Sequence, residues 1–218
     1  MKKFTLMDGS ALVIWLLPAI YLLFTYNSLP QSVPMHYDLN GAVNRYGDKS
    51  EFFIILGLPV LVYLLLKFLP AVDPKKKVKY SEASFQKLAL GMVVFLSAIT
   101  IIFIFSTLHP GIKPGKLILP IIGLLFAFMG NIMYNIKPNY FVGIRTPWTL
   151  ESEDNWRSTH RLAGKIWFVG GIILTITLLL IPERAGTIVF MCVAVIIALV
   201  PVIYSYVYFK RYQLNQNS

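Results

Sequence analysis

The residues best suited to chemistry in this chain lie in one polar stretch, residues 143–161, between two long apolar segments. Carboxylates and a histidine can act as general acids and bases, but they need a nucleophile, a metal or another reacting group beside them. The chain has no His-Glu-x-x-His metal motif, no Gly-x-Ser-x-Gly elbow and no phosphate-binding loop. We therefore predict that it is not an enzyme and that it has no catalytic residue, cofactor or metal. This polar island contains Arg145, Trp148, Glu151, Glu153, Asp154, Trp156, Arg157, His160 and Arg161.

The island leaves two interpretations open, a structured interfacial loop that locks two helices together or a surface that docks a protein. Catalysis would require its ionisable groups to converge on one pocket. Pro147 disfavours helix at the residue before it, and Thr149 is the predicted N-cap of a helix that starts at about Leu150. We expect the two tryptophans of the island at the level of the lipid headgroups, and Arg145 paired with an acid or a lipid phosphate.

A second pair of potential ligands, His36 and Asp38, lies in a proline-containing loop at residues 29–41. Prolines push the residues before them toward extended backbone, and Asn40-Gly41 is a strong turn signal. In an extended strand His36 and Asp38 share one face, because alternate side chains point to the same side. Two ligands do not make a metal site, which needs three or four. The loop is either a compact cap on the protein or a contact for a ligand.

A pattern of small and polar residues recurs every four positions, at Gly123, Ala127, Asn131 and Asn135, with Gly130 beside them. On a helix these residues share one face. Small residues let helix backbones approach closely, and buried asparagines hydrogen-bond to a neighbouring helix. The alternative is a polar track or a ligand contact inside the protein, since polar groups at membrane depth are often functional.

The composition indicates that these sites are positioned by membrane-spanning helices. The chain has 218 residues, of which 56% are hydrophobic and 14% charged, whereas soluble domains have about 25% charged residues. A span needs about 20 predominantly apolar residues to cross a hydrocarbon core of about 30 Å. Six segments qualify: 7–27, 52–71, 84–108, 117–136, 164–181 and 187–209.

The distribution of basic residues predicts the orientation. With the N-terminus inside, fifteen of the 20 lysines and arginines fall on the inner side, and an excess of these residues marks the cytoplasmic face. The predicted fold is an all-α integral membrane protein with six transmembrane helices, both termini in the cytoplasm and a short extended segment in the first outer loop. The net charge of +10 is spread beside apolar spans, so we predict no direct nucleic-acid binding. Cys192 is the single cysteine, which excludes an intrachain disulfide.

One set of residues forms a motif in the second half of the chain: Gly130, Asn131, Ile132, Met133, Asn139, the run from Gly143 to Leu150, Trp156 and Arg161. This motif resembles the signature of the SdpI family of bacterial membrane immunity proteins. The outer loop, with Leu29, Val33 and the run from Pro34 to Tyr37, looks like the domain that commonly precedes that signature. The resemblance divides the chain into residues 1–72 with an outer loop at 27–51, a basic cytoplasmic linker at 73–83, and a four-helix unit at 84–218 with a cytoplasmic loop at 137–163.

The resemblance implies a protein of the bacterial cytoplasmic membrane that protects its producer against a secreted peptide toxin. It further implies that the toxin-engaged protein captures a cytoplasmic transcriptional repressor. Its expected partners are thus membrane lipid, the toxin and the repressor. The rival interpretation is a small-molecule transporter or channel that uses the Asn131 and Asn135 face. The functional candidates are Arg145, Thr146, Pro147, Trp148, Trp156, Arg161, Asn131, Asn135, Asn139, His36 and Asp38.

Overall fold

The computed structural model describes residues 4–38, 41–72 and 82–216. Six of the helices in this part of the chain are long and apolar enough to cross a membrane, which confirms the predicted all-α architecture with six spans. Residues 73–81, which include most of the predicted basic linker, lie outside the described residues. The helices are α1 (Leu6–Thr25), α2 (Glu51–Phe68), α3 (Glu82–Leu108), α4 (Pro114–Met133), α5 (Pro147–Glu151), α6 (Glu153–Leu180) and α7 (Glu183–Gln216).

The loops between the spans fall at two ends of the bundle, because successive long helices run in opposite directions. We call one end the hairpin end, with residues 26–50, 109–113 and 181–182. We call the other the island end, with residues 134–152 and the starts of α1, α3 and α6. α6 begins at Glu153, so the second half of the polar island and the fifth span form one continuous helix. This confirms the helix predicted to run from the island into that span.

The extended segment in the first loop is one strand of a hairpin. β1 (Ser32–Tyr37) pairs with β2 (Val43–Asp48) in an antiparallel sheet. Val33 on β1 is fully buried against Leu22, Phe52 and Ile104, so the hairpin packs onto the ends of α1, α2 and α3. The sequence predicted the extended segment but not its partner strand.

The turn of the hairpin reaches the start of α7. Gly41 has φ +77°, a conformation that favours glycine. A Cβ added at Gly41 would lie 2.9 Å from a carboxylate oxygen of Glu183, and one at Gly115 would lie 2.5 Å from the same oxygen. Lys113 Nζ lies 3.6 Å from the other carboxylate oxygen of Glu183. Glu183 therefore sits where the hairpin, α4 and α7 meet. Asn40, the other residue of the predicted turn signal, lies outside the described residues, as does Leu39 before it.

α4 and α6 pack together along a row of small residues. A Cβ at Gly130 would lie 2.4 Å from the backbone nitrogen of Phe168, and one at Gly171 would lie 2.5 Å from the backbone nitrogen of Ala127. Neither position has room for a side chain. The predicted close approach through Gly123, Ala127 and Gly130 is therefore confirmed.

The asparagines predicted to continue this row do not face α6. Asn131 is exposed, and Asn135 is exposed and lies beyond Met133, the last residue of α4. The prediction that they are buried between helices is therefore wrong. The physical reason is that a step of four residues overshoots one helical turn of 3.6 residues, so the face drifts around the helix.

One indole group compensates for a proline in a span. Pro201 has no N–H, so it cannot donate to the carbonyl of Ile197 four residues earlier. Trp167 on α6 donates its indole Nε1–H to that carbonyl at 2.8 Å. The contact joins α6 to α7 and satisfies a backbone group freed by the proline.

Candidate functional site

Asn139 organises the segment that follows α4. It is buried, and its Oδ1 accepts hydrogen bonds from the backbone N–H groups of Phe141 and Val142, both at 2.8 Å. Its Nδ2 donates to the carbonyls of Lys137 at 2.9 Å and Val142 at 3.1 Å. An asparagine amide has two donors and one acceptor oxygen with two lone pairs, so its hydrogen-bonding capacity is fully used. This candidate residue shapes the chain and is not available to a ligand.

Thr146 and Thr149 close the start of α5. Thr146 is extended, with φ −97° and ψ 159°, and its hydroxyl accepts from the Thr149 N–H at 3.3 Å. The buried Thr149 hydroxyl accepts from the Thr146 N–H at 2.9 Å and lies 2.9 Å from the Ile144 carbonyl. The predicted N-cap at Thr149 is therefore wrong: Thr146 caps α5, and Ser152 caps α6. Pro147 explains the difference, because proline favours the first position of a helix and places the cap just before it.

His160 holds the island loop against α6. The Ile144 N–H donates to His160 Nε2 at 3.0 Å, and His160 Nδ1 lies 2.8 Å from the carbonyl oxygen of Trp156. A nitrogen that accepts from an amide carries no proton, so Nδ1 is protonated and donates to the carbonyl. Gly143 has φ +113°, and a Cβ there would lie 2.3 Å from Nε2. The approach of the loop to this imidazole therefore requires glycine.

Trp156 lies inside the protein, only 1% exposed. Its ring stacks on His160 with centroids 4.0 Å apart and an interplanar angle of 17°. Its Nε1–H donates to the carbonyl of Ile136 at 2.8 Å, and it packs with Leu88 and Ile132. The headgroup level predicted for this tryptophan stays a prediction, but its ring does not face lipid. Its indole instead connects α6 to the segment after α4.

Trp148 connects the island to α7. Its Nε1–H donates to the Ser205 hydroxyl at 2.8 Å, and its ring stacks on Phe209 at 6.0 Å. Asn155 on α6 donates to the carbonyl of the same Ser205 at 3.0 Å. Ser205 is fully buried, and sequence reasoning missed it, because a serine within an apolar span gives no local signal of a tryptophan partner 57 residues away.

The two candidate arginines are exposed at the island end. The Arg145 guanidinium donates to the carbonyl of Tyr140, and the Arg161 guanidinium lies 5.7 Å from the centroid of the Tyr134 ring. Both contacts are with tyrosines of the segment between α4 and the island. Pro147 is also exposed.

Two open clefts flank the first turns of α6. One has a volume of about 490 Å³ and lies between α6 and the segment after α4. The other has a volume of about 480 Å³ and lies between α6 and α7. Arg157 and Arg161 line both clefts. The first is lined by Tyr134, Asn135, Ile136, Lys137, Pro138, Glu153, Trp156, Arg157, His160 and Arg161.

His36 and Asp38 lie at the hairpin end, remote from the island. His36 Nδ1 lies 2.6 Å from Asn44 Oδ1 across the hairpin. Asp38 Oδ1 accepts from the Ala42 N–H at 2.8 Å and closes the turn. In the part of the chain that the structure describes, no group of three or more histidine, cysteine or acidic side chains is placed to bind a metal.

Sequence reasoning missed a polar cluster on α1 and α2. Asp8 is buried, and it forms an ion pair with Lys67 and accepts a hydrogen bond from the Tyr63 hydroxyl. It also forms a capping box with Thr5 at the start of α1. An acid within the first apolar segment, three residues after a threonine, is the signal that would have found it.

Comparisons with known proteins agree with the resemblance seen in the sequence. The model of the SdpI/YfhL protein family matches residues 135–205, and the model of a domain of unknown function, DUF1648, matches residues 13–70. The immunity protein SdpI of Bacillus subtilis (strain 168) is 28% identical over 203 residues, which cover 92% of this chain and 95% of that protein. No solved structure gives a significant match. The matches confirm the resemblance. Together with the six apolar helices, they identify the chain as a multi-pass bacterial membrane protein.

Proposed function

We propose that this chain, an SdpI-like protein on a six-span membrane fold, is an immunity protein that protects its producer against a secreted peptide toxin. The observation that carries the proposal is similarity along nearly the whole length of both chains to a protein named for immunity. The two family segments account for both ends of the bundle, since residues 13–70 include the hairpin and residues 135–205 include the island.

The proposal places the hairpin outside the cell and the island in the cytoplasm. The lysine and arginine distribution supports this orientation. In this arrangement the hairpin and the outer ends of the helices meet the toxin, while the polar island faces cytoplasmic proteins.

α7 is the element best placed to connect the two ends. Its first residue, Glu183, sits beneath the hairpin turn, and Ser205 holds Trp148 and Asn155 of the island region. These two α7 residues are 22 positions apart, which is about 33 Å along a helix. A ligand shifts an equilibrium between two conformations only when it binds one of them more tightly. If the toxin binds more tightly to one of two positions of the helix α7, it would shift α7 to that position, and the island would move with it.

The further part of the proposal is that the island captures a cytoplasmic transcriptional repressor when toxin is bound. Its exposed residues Pro147 and Glu151 lie on the short helix α5, and the exposed Arg145 lies just before the N-cap Thr146. The buried Thr149 holds this helix from beneath. A rigid support with exposed charged residues suits protein recognition, because its side chains and loops lose little conformational entropy on binding.

The residue pattern that favoured the transporter alternative is not found inside the bundle. It required Asn131 and Asn135 to line a polar pathway inside the bundle, and both are exposed outside the α4–α6 contact. The residues that fill this contact are Gly123, Ala127 and Gly130, with Gly164 and Gly171 from α6.

The immunity proposal is tested by survival of a toxin-sensitive strain that expresses the chain. Protection by the wild-type chain supports the proposal, and failure to protect against every cognate secreted peptide contradicts it. Trp148→Ala should reduce protection by separating the island from α7. Lys87→Ala is the matched control, because Lys87 is an exposed residue of α3 at the same end. Membrane protein levels are measured for each variant by immunoblot.

A further inference from the structure

A groove between α6 and α7 at the island end combines positive charge with fixed hydroxyl groups. It has a volume of about 480 Å³. Arg157, Arg161 and Lys165 line one wall, four residues apart on α6, so they follow one helix face. Tyr204 and Tyr208 of α7 line the other wall.

The charges of the groove favour an anion. Three cationic side chains and one carboxylate, that of Asp154, line it and leave two net positive charges. Arg157, Arg161 and Lys165 are exposed, so an anion can reach them without displacing buried contacts. A guanidinium presents paired N–H donors that match two oxygens of a phosphate.

The tyrosine wall is held in place before any ligand arrives. The Tyr204 hydroxyl lies 2.7 Å from the Ser158 hydroxyl, which joins the two helices across the groove. The Tyr204 and Tyr208 rings pack with centroids 6.2 Å apart. With Ser158 as the donor in that hydrogen bond, the Tyr204 O–H can donate to a ligand. A fixed hydroxyl beside exposed cations supplies a directional hydrogen bond that a diffuse charged surface lacks.

The position of the groove along α6 indicates that the phosphate belongs to a lipid and not to a soluble molecule. Lys165 is the last charged residue before residues 166–180, a stretch without charge that continues the helix as a membrane span. Leu162 also lines the groove. The cations therefore lie where the apolar span begins, which is the depth of lipid headgroups, and basic pockets between helices at this depth suit anionic lipids.

We propose that the groove between α6 and α7 binds the phosphate group of an anionic glycerophospholipid through Arg157, Arg161 and Lys165, with the Tyr204 hydroxyl as a positioning donor. This site is independent of the immunity proposal, because it needs neither a toxin nor a repressor. Its occupant would bridge α6 and α7 at the level of the island, close to the contacts of Asn155 and Trp148 with Ser205.

The experiment measures lipid binding to the purified full-length protein in a neutral detergent by native mass spectrometry and by thermal shift. The probes are phosphatidylglycerol, phosphatidylcholine, glycerol 3-phosphate and inorganic phosphate. We expect phosphatidylglycerol to bind and to raise Tm, phosphatidylcholine to bind at least about tenfold more weakly, and the two soluble phosphates to leave Tm unchanged at the same concentration. Full stabilisation by inorganic phosphate would overturn the lipid assignment, and equal binding of the two lipids would overturn the site.

The variants separate a positioned site from general charge attraction. Arg157→Gln with Arg161→Gln should weaken phosphatidylglycerol binding about tenfold or more, and Arg161→Lys should weaken it while keeping the charge. Tyr204→Phe removes only a hydroxyl and should weaken binding with the fold intact, so it tests the site even if the double variant is unstable. Lys87→Gln removes one cation at the same end outside the groove and should leave binding unchanged. An equal loss of binding in Lys87→Gln and in the Arg157→Gln, Arg161→Gln double variant would contradict the proposal.

Discussion

The indole Nε1–H of Trp156 donates a hydrogen bond to the carbonyl oxygen of Ile136 at a distance of 2.8 Å. Ile136 follows the end of α4, and Trp156 lies in the first turn of α6, so this bond joins the two most closely packed spans at the island end. Both residues are buried. The bond therefore fixes the position of the polar island relative to the helix pair beneath it.

Trp156→Phe removes the donor and leaves the Ile136 carbonyl buried without it. We expect a loss of about 1–3 kcal/mol in stability, the cost of an unsatisfied buried polar group. Thermal unfolding of the purified protein in detergent measures the change. Val169→Ala on the exposed side of α6 is the control and should leave Tm nearly unchanged; a similar drop in both variants would argue against a special role for the bond.

Gly130→Ala should separate α4 from α6. The new methyl group would lie 2.4 Å from the Phe168 nitrogen and 2.7 Å from the Gly164 carbonyl oxygen. Both are backbone atoms that move only with their helix, so we expect a loss of about 1–3 kcal/mol or more. The matched control is Gly57→Ala on α2, where nothing lies within 4 Å of the added Cβ. That variant should keep its stability or become up to about 1 kcal/mol more stable, because alanine loses less backbone entropy than glycine on folding.

The Asp8 and Lys67 ion pair should stabilise the contact of α1 with α2. Asp8→Asn removes the charge that neutralises Lys67, and we expect a loss of about 3 kcal/mol, at the low end for buried pairs because the Lys67 side chain is 21% exposed. Lys67→Met combined with Asp8→Asn should recover part of this loss. A double-mutant cycle by chemical denaturation gives the coupling, and strictly additive losses would show that the pair contributes none.

His160 should be neutral, with its proton on Nδ1. The Ile144 N–H points at Nε2, and a second proton there would place two donors face to face and break the loop contact. ¹⁵N chemical shifts of labelled histidine distinguish the two neutral tautomers and the imidazolium. A shift pattern of an Nε2–H tautomer at neutral pH would contradict the hydrogen-bond arrangement at the island.

The six spans could be predicted from sequence because each depends on the composition of one contiguous segment. The small-residue face was only partly predictable. Gly123 and Ala127 lie on the packed side, but each further step of four residues turns about 40° around the helix, and this drift carries Asn131 out of the contact with α6. The every-four-residue pattern was therefore too coarse to identify buried asparagines.

The contacts of the island depend on residues far apart in sequence, and the sequence alone did not reveal them. Trp148 pairs with Ser205 over 57 positions, and Asp8 with Lys67 over 59. Burial of Trp156 likewise follows from packing against Ile136 and not from its polar neighbours. By contrast, the N-cap at Thr146 can be predicted from the local sequence, because Pro147 marks the first helical position.

The contact of Glu183 with the hairpin turn limits how parts of related proteins can be exchanged. Gly41 comes from the segment matched by one family model, whereas Glu183 comes from the segment matched by the other. A chimera that joins the first two spans of one relative to the last four of another would place residues from different parents at this junction. Such hybrids should assemble best when the incoming turn residue is glycine, because a side chain there would displace the acid at the start of α7 and strain the backbone at φ +77°.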